Sequence, residues 1–312
     1  MFEAQKWNNT KMLARASQLS VVVPITGSPS RIINLLRWLP NFSALNGEVI
    51  LVHDFFDVQT TEILVENVEE LKKTMNITLI EGKFGSPGAA RNAGKKVAQS
   101  TWVTFWDCDD MPNLQNIKKE LDESSNQELD FICGGFEVID LLTQLPITQH
   151  LNSGNVSLDK IDVGLNPGIW RFLFKKNTIE DISFLEISMA EDQDFLLDYN
   201  LSMRHGFFSR RIFYHYYIGD NGQLTREKSA FDDLQISLKH IKEIRKSRGA
   251  DSYLEIIHIR QILTGIRHAR FGMKLYFSYC FLLKLFDFTN VFSRRAFRQV
   301  VSPSRRSLIK ND

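Results

Sequence analysis

Three carboxylates, Asp107, Asp109 and Asp110, fall within four residues, directly after an apolar run at 101–106 that reads as a buried strand. Carboxylates crowded like this repel one another unless something positive sits among them. Mg2+ or Mn2+ fits the need, because such hard ions take one or two carboxylates plus substrate phosphates. Upstream, a Gly/Pro loop with Gly82, Gly85, Pro87 and Gly88 opens a helix carrying Arg91 and Asn92. A helix start offers free N–H groups and a positive dipole end to phosphate, and Arg91 adds a planar donor fork. Together these describe a site for a nucleotide diphosphate and its metal. The plain alternative for the triplet is a solvated turn, with Asp109 capping the next helix. The order loop, Arg91, apolar strand and triplet is what makes the pattern specific.

A second acidic pair, Glu191-Asp192, opens an apolar helix containing Phe195, Leu196 and Tyr199. Acidic residues at a helix start are favoured by its dipole, which is the structural reading. The functional reading is a general base that takes a proton from a substrate hydroxyl.

The elements that must position these groups alternate. Short apolar runs at 20–25, 48–52, 77–80 and 101–106 read as strands, and 31–39, 60–73, 88–99 and 113–124 read as helices. That alternation predicts a parallel α/β sheet, in which ligands bind beyond the carboxyl ends of the strands. Pro24/Thr26, His53/Asp54 and Asp107/Asp109 all fall at such ends. No Gly-x-Gly-x-x-Gly follows the first strand and no Walker-type loop occurs. Residues 130–139 predict a strand with a glycine break, 141–162 give no clear assignment, and 168–177 predict an aromatic, basic strand. Past the alternating part, antiparallel sheet and loops are expected.

The chain has 312 residues, 43% hydrophobic and 24% charged, enough for one large domain with a smaller appendage. A net charge of +1 gives no field for nucleic acid. Cys108, Cys133 and Cys280 lack metal-ligand spacing, and an unpaired set fits a reducing, cytoplasmic compartment. Residues 1–18 read as a polar lead-in without the apolar core of a signal peptide, and no spanning helix is predicted.

GSPGAARNAG followed by TWVTFWDCDD resembles the family 2 glycosyltransferases of GT-A fold. Trp170, Phe184 and Glu191-Asp192-Gln193-Asp194-Phe195 continue the likeness in the right order, and it covers about residues 19–225. The resemblance implies a Rossmann-like mixed sheet and transfer of a sugar, with inversion, from a nucleotide-diphosphate sugar, UDP-sugar first. It also implies roles by position. Pro24 and Thr26 border the uridine pocket, Asp54 contacts the base, and Arg91 lies near base and phosphates. Asp107 points toward the ribose, Asp109 toward Mn2+ or Mg2+, and Asp192 is the base beside Glu191. Trp170 either stacks on a sugar face or packs in the core. In the Tyr-rich strand and loop at 207–226, His215, Gln223, Thr225 and Arg226 could reach diphosphate or acceptor. The chain departs from the pattern at His53-Asp54-Phe55-Phe56, where the family has Asp-Asp-Gly-Ser, and at Gly27-Ser28, where Tyr-Asn is usual.

From 226 the character changes to a helical region. Residues 232–248 and 253–267 read as helices, 271–288 is strongly apolar, and Arg294, Arg295, Arg298, Arg305, Arg306 and Lys310 follow. An apolar aromatic helix beside basic residues suits an interface with anionic lipid. Peripheral contact through 271–312 at the cytoplasmic face of the inner membrane is therefore expected; a core-packing or homodimer-forming helix is the alternative. The expected acceptor is a hydroxyl of a glycan or lipid-linked glycan. The rival functions are a non-catalytic sugar-nucleotide-binding subunit of a glycan-assembly complex and a sugar-nucleotide pyrophosphorylase-like enzyme.

Overall fold

The computed structural model describes residues 18–26, 29–54, 58–219, 230–286 and 291–301. The first half builds four parallel strands, β1 (Leu19–Ile25), β2 (Glu48–Asp54), β3 (Asn76–Gly82) and β4 (Trp102–Phe105), ordered β3-β2-β1-β4. Between them run α1 (Ile33–Trp38), α2 (Val58–Leu71) and α3 (Pro87–Val97). The continuous apolar runs of β1 and β2 are buried because helices cover both faces of the sheet. Pro24 is tolerated because β4 pairs with β1 only as far as Val22, leaving the proline a single neighbour strand.

The second half adds β5 (Met111–Pro112), α4 (Leu114–Glu123), β6 (Phe131–Asp140), β7 (Pro146–His150), α5 (Val156–Leu165) and β8 (Phe172–Lys175). After these come α6 (Glu191–Tyr199) and β9 (Gly206–Ile218). The nine-stranded sheet continues β4-β8-β6-β9-β5, with β7 on β6. Here the sequence expectation needs correcting. β8 is antiparallel to both neighbours, but β6 and β9 run parallel, from Phe131↔Gly206 to Asp140↔Ile218. The chain returns through α6, so β9 enters the sheet in the same sense as β6. The expected break in β6 is there, as register shifts around Gly135. The strand expected over 168–177 is shorter. A 3-10 turn, Ile169–Arg171, precedes β8, and the fully buried Arg171 is held by Asp162 at 3.1 Å. Asn113, rather than Asp109, caps α4.

The core runs on past the boundary expected at 225–226. Leu234, Leu238 and Ile241 of α7 (Leu234–Arg248) and Leu254, Ile257 and Ile262 of α8 (Ser252–His268) share one cluster with Phe172, Phe195 and Tyr199. Next come α9 (Phe271–Phe286) and α10 (Val291–Val301). Lys284 Nζ of α9 lies 2.5 Å from Glu255 Oε2 of α8, both side chains buried. The outward side of α9 leaves Phe271, Leu275, Tyr279 and Leu282 exposed. Among the described residues no helix is long and apolar enough to cross a membrane.

Candidate active site

A cavity of about 530 Å³ opens at the carboxyl ends of β1, β2 and β4. Pro24, Thr26, Asp54, Arg91, Asp107 and Asp109 line it from the first half of the chain. Trp170, Glu191 and Asp192 line it from the second. The two acidic motifs therefore face one space. His215 is not among the lining residues. Alternation along β9 turns Tyr216 into the cavity and His215 the other way, where its Nδ1 is 3.1 Å from Glu137 Oε2. Arg226, Gln223 and Thr225 lie outside the described residues, as do Phe55 and Phe56.

The helix α3 explains the GSPGAARNAG stretch. Gly85 takes φ +73°, which favours glycine. Ser86 then caps the helix by accepting the Ala89 N–H at 3.2 Å, and Pro87 follows at the first position. A Cβ on Gly88 would lie 2.0 Å from the Leu185 carbonyl oxygen, so only glycine lets α3 approach the 184–185 segment. Asn92 clamps that segment in both directions, donating to Phe184 O at 2.9 Å and accepting from Phe184 N at 2.8 Å. Arg91, 4% exposed, donates to Glu191 Oε1 at 2.6 Å and to Asp107 Oδ1 at 2.8 Å. Burial pulls its pKa down, but Asp107 and Glu191 outweigh burial and hold it above the ordinary arginine value.

At the β4 corner, Asp107 N–H donates to the Tyr214 hydroxyl at 2.9 Å, and Asp109 Oδ2 accepts from Arg31 at 3.0 Å. Burial, then the neighbouring Asp107, raises the Asp109 pKa against Arg31. Asp110 is buried and accepts the Tyr217 N–H at 2.7 Å, so it ties the corner to β9. Burial and its two acidic neighbours push its pKa well up. Asp107 and Asp109 each have a second oxygen outside these ion pairs. Two carboxylates beside one cavity, one held up in pKa partly by the other, fit a hard divalent ion, which would need further oxygen ligands from outside the protein. Among the described residues no group of three or more His, Cys, Asp or Glu side chains forms a closed metal cage.

On the facing side, Ala190 adopts φ +77°, an uncommon conformation for a residue with a Cβ, and from it α6 begins with Glu191 and Asp192. Burial, then the Glu191 charge, pushes the Asp192 pKa up to about 7, with Arg91 opposing. Trp170 stacks on Tyr214 and Tyr216 with centroids 4.6 and 5.7 Å apart, forming an aromatic wall. The residue therefore packs on one side, and it also lines the cavity. Asp54 accepts the N–H groups of Phe84 and Gly85 at 3.0 and 2.8 Å, pinning the loop ahead of α3. His53 is 1% exposed, with Nδ1 4.0 Å from Glu81 Oε1, as a structural strand-end residue would be. Sequence reasoning missed Arg31, Tyr214, Tyr216 and Arg260, a side chain of α8 that also lines the cavity. Arg31 and Arg260 belong to no local motif; the tyrosines had a signal in the period-2 spacing of the Tyr-rich strand.

Residues 20–209, more than half of the chain, match the family model of Glycosyl transferase family 2. The chain belongs to glycosyl transferase family 2. The chain is 24% identical over 197 residues to the uncharacterized glycosyltransferase EpsJ of Bacillus subtilis (strain 168), covering 57% of this chain and 55% of that protein. It is 33% identical over 105 residues to the poly(ribitol-phosphate) beta-N-acetylglucosaminyltransferase TarS of Staphylococcus aureus (strain Mu50 / ATCC 700699), covering 32% of this chain and 18% of TarS. The chain thus spans about half, or less, of the length of these curated relatives. The crystal structure of S. aureus TarS 1–349 with UDP-GlcNAc has a TM-score of 0.60 at 18% identity, over 81% of this chain and 74% of that one. The mannosyltransferase PcManGT from Pyrobaculum calidifontis, in complex with GDP-Man and Mn2+, has a TM-score of 0.55 at 11% identity, over 93% and 89%. The fold of this family 2 glycosyltransferase is GT-A.

Proposed function

We propose that the chain is an inverting, metal-assisted glycosyltransferase that moves a sugar from a UDP-sugar to a hydroxyl of a glycan or lipid-linked glycan. The observation that carries this reading is the single cavity in which Asp107 and Asp109 face Glu191 and Asp192, with Arg91 joining the two sides. The fold neighbours solved with UDP-GlcNAc and with GDP-Man and Mn2+ support the donor class and the metal. The name of TarS, a poly(ribitol-phosphate) enzyme, supports a surface-polymer acceptor.

Pro24 and Thr26 border the base, the Asp54-pinned loop shapes that end of the cavity, and Asp107 faces the ribose. Asp109 and Asp107 hold Mn2+ or Mg2+, which when bound neutralises the diphosphate leaving group. Trp170 offers a flat wall to a sugar ring. Asp192 takes the proton from the acceptor hydroxyl as that oxygen attacks the anomeric carbon. The bond to the diphosphate breaks on the opposite face, and UDP leaves. A carboxyl whose pKa lies near 7 suits a base at neutral pH.

The exposed side of α9, with the arginines that follow it, is assigned to peripheral contact with an anionic bilayer on the cytoplasmic side. A panel of UDP-sugars incubated with the full chain and Mn2+ tests the activity through UDP release. Asp192→Asn should lower turnover by about a hundredfold or more. Wild-type turnover in that variant would remove the base assignment, and absence of UDP release from every UDP-sugar would remove the donor reading.

A further inference from the structure

Three arginines line the cavity, and two of them are already engaged: Arg31 with Asp109 and Arg91 with Asp107 and Glu191. The third, Arg260, comes from α8, beyond the residues 20–209 that match the family model. Its Nη1 is closed off from solvent and has no hydrogen-bond partner among the described residues. A buried guanidinium nitrogen without a partner is costly, and a ligand oxygen in the cavity would relieve it. The carboxylate that Arg260 interacts with is Asp192, not Asp107 or Asp109. Burial lowers its pKa and Asp192 raises it. Arg260 therefore stands on the side of the base, where the acceptor enters, while Arg31 and Arg91 stand at the two carboxylates of the donor side.

We infer that Arg260 is the anion-binding group of the acceptor subsite, and that the acceptor carries an oxyanion, a phosphate or a carboxylate, close to the hydroxyl it presents to Asp192. This rests on the assignment of Asp192 as the base. A guanidinium meets either oxyanion through two parallel N–H bonds, which fixes orientation as well as position. An uncharged sugar hydroxyl would satisfy one N–H but would add no second counter-charge beside Asp192. The helical region after the family-matched part thus adds a determinant of acceptor choice to a site whose carboxylates all lie within residues 20–209.

The test uses the full chain loaded with UDP and Mg2+, a diamagnetic ion that leaves ligand signals sharp. Ligand-observed NMR gives the affinities of glycerol phosphate and of glucuronate against their uncharged counterparts, glycerol and glucose, and UDP binding is measured in parallel. At least one anion should bind on the order of tenfold tighter than its counterpart, and which one identifies the source of the oxyanion. Arg260→Met should abolish that preference and Arg260→Lys should retain part of it. A wild-type chain that takes up UDP but treats charged and uncharged probes alike overturns the Arg260 assignment alone, as does a preference that survives Arg260→Met. A chain that binds no UDP overturns the donor reading beneath it. Should Arg260→Met not fold, the wild-type comparison and Arg260→Lys decide the matter.

Discussion

Arg91 Nη1 lies 2.6 Å from Glu191 Oε1, 100 residues further along the chain, while Nη2 lies 2.8 Å from Asp107 Oδ1. One buried guanidinium thus fixes the separation of the two acidic motifs. Removing it leaves two carboxylates facing each other across a cavity with no cation between them. Arg91→Met is expected to cost about 3 kcal/mol or more, because breaking a buried pair strands a charge. Urea unfolding measures the loss, and adding Glu191→Gln to Arg91→Met should recover part of it. Full additivity of the two substitutions would show that they do not interact.

Asp192 sets a pH dependence. Burial raises its pKa from 3.8 to about 7. The base acts deprotonated, so the logarithm of the transfer rate should climb with unit slope below pH 7 and level off above it. The sign for stability is opposite. Between about pH 4 and 7 the folded chain holds a proton that the unfolded chain has released, so this group's contribution falls as pH rises through that window. Asp192→Asn should flatten that part of the stability profile, and an unaltered profile would refute the shift.

Asp109 gives a metal prediction. Asp109→Asn should reduce the Mn2+-dependent gain in UDP affinity by about tenfold, read by calorimetry with and without the ion. The same gain in variant and wild type would take Asp109 out of the metal site.

Asn92 makes a stability prediction independent of any ligand. Both of its side-chain hydrogen bonds go to the Phe184 backbone. Asn92→Ala leaves that carbonyl and N–H unpartnered and should cost about 2 kcal/mol. The urea midpoint should drop with an unchanged slope.

The outward side of α9 predicts vesicle binding. Leu275→Glu and Tyr279→Glu should each weaken co-sedimentation with vesicles containing phosphatidylserine, and unchanged sedimentation would remove the bilayer assignment. Substitution is a cleaner test than deleting 271–312, because deletion also removes Lys284, a buried ion-pair partner of Glu255.

The first four strands and the helices between them were readable because each is a local signal: a β-branched run, or an apolar stripe of helical period. The lining positions at Asp107, Asp109 and Asp192 were readable for a related reason, since strand ends and helix starts mark themselves in sequence. The pairing of β6 with β9 was not, because it joins Phe131 to Gly206 across α6 and nothing local encodes its direction. Residues 141–162 mix polar and apolar positions without a period, and β7 and α5 emerge only once β6 and α8 supply surfaces to pack on. Arg260 was hidden for a different reason. On a helix with Leu254, Ile256, Ile257 and Ile259, one arginine reads as the solvated side, and only the tertiary fold turns it toward the cavity.

The buried contact between Lys284 and Glu255 joins the helix that faces outward to the helix that bears Arg260. Glu255 and Arg260 are five residues apart, about 7.5 Å along the helix axis. A displacement of α9 would therefore pull on α8 less than two turns away from a side chain that lines the cavity.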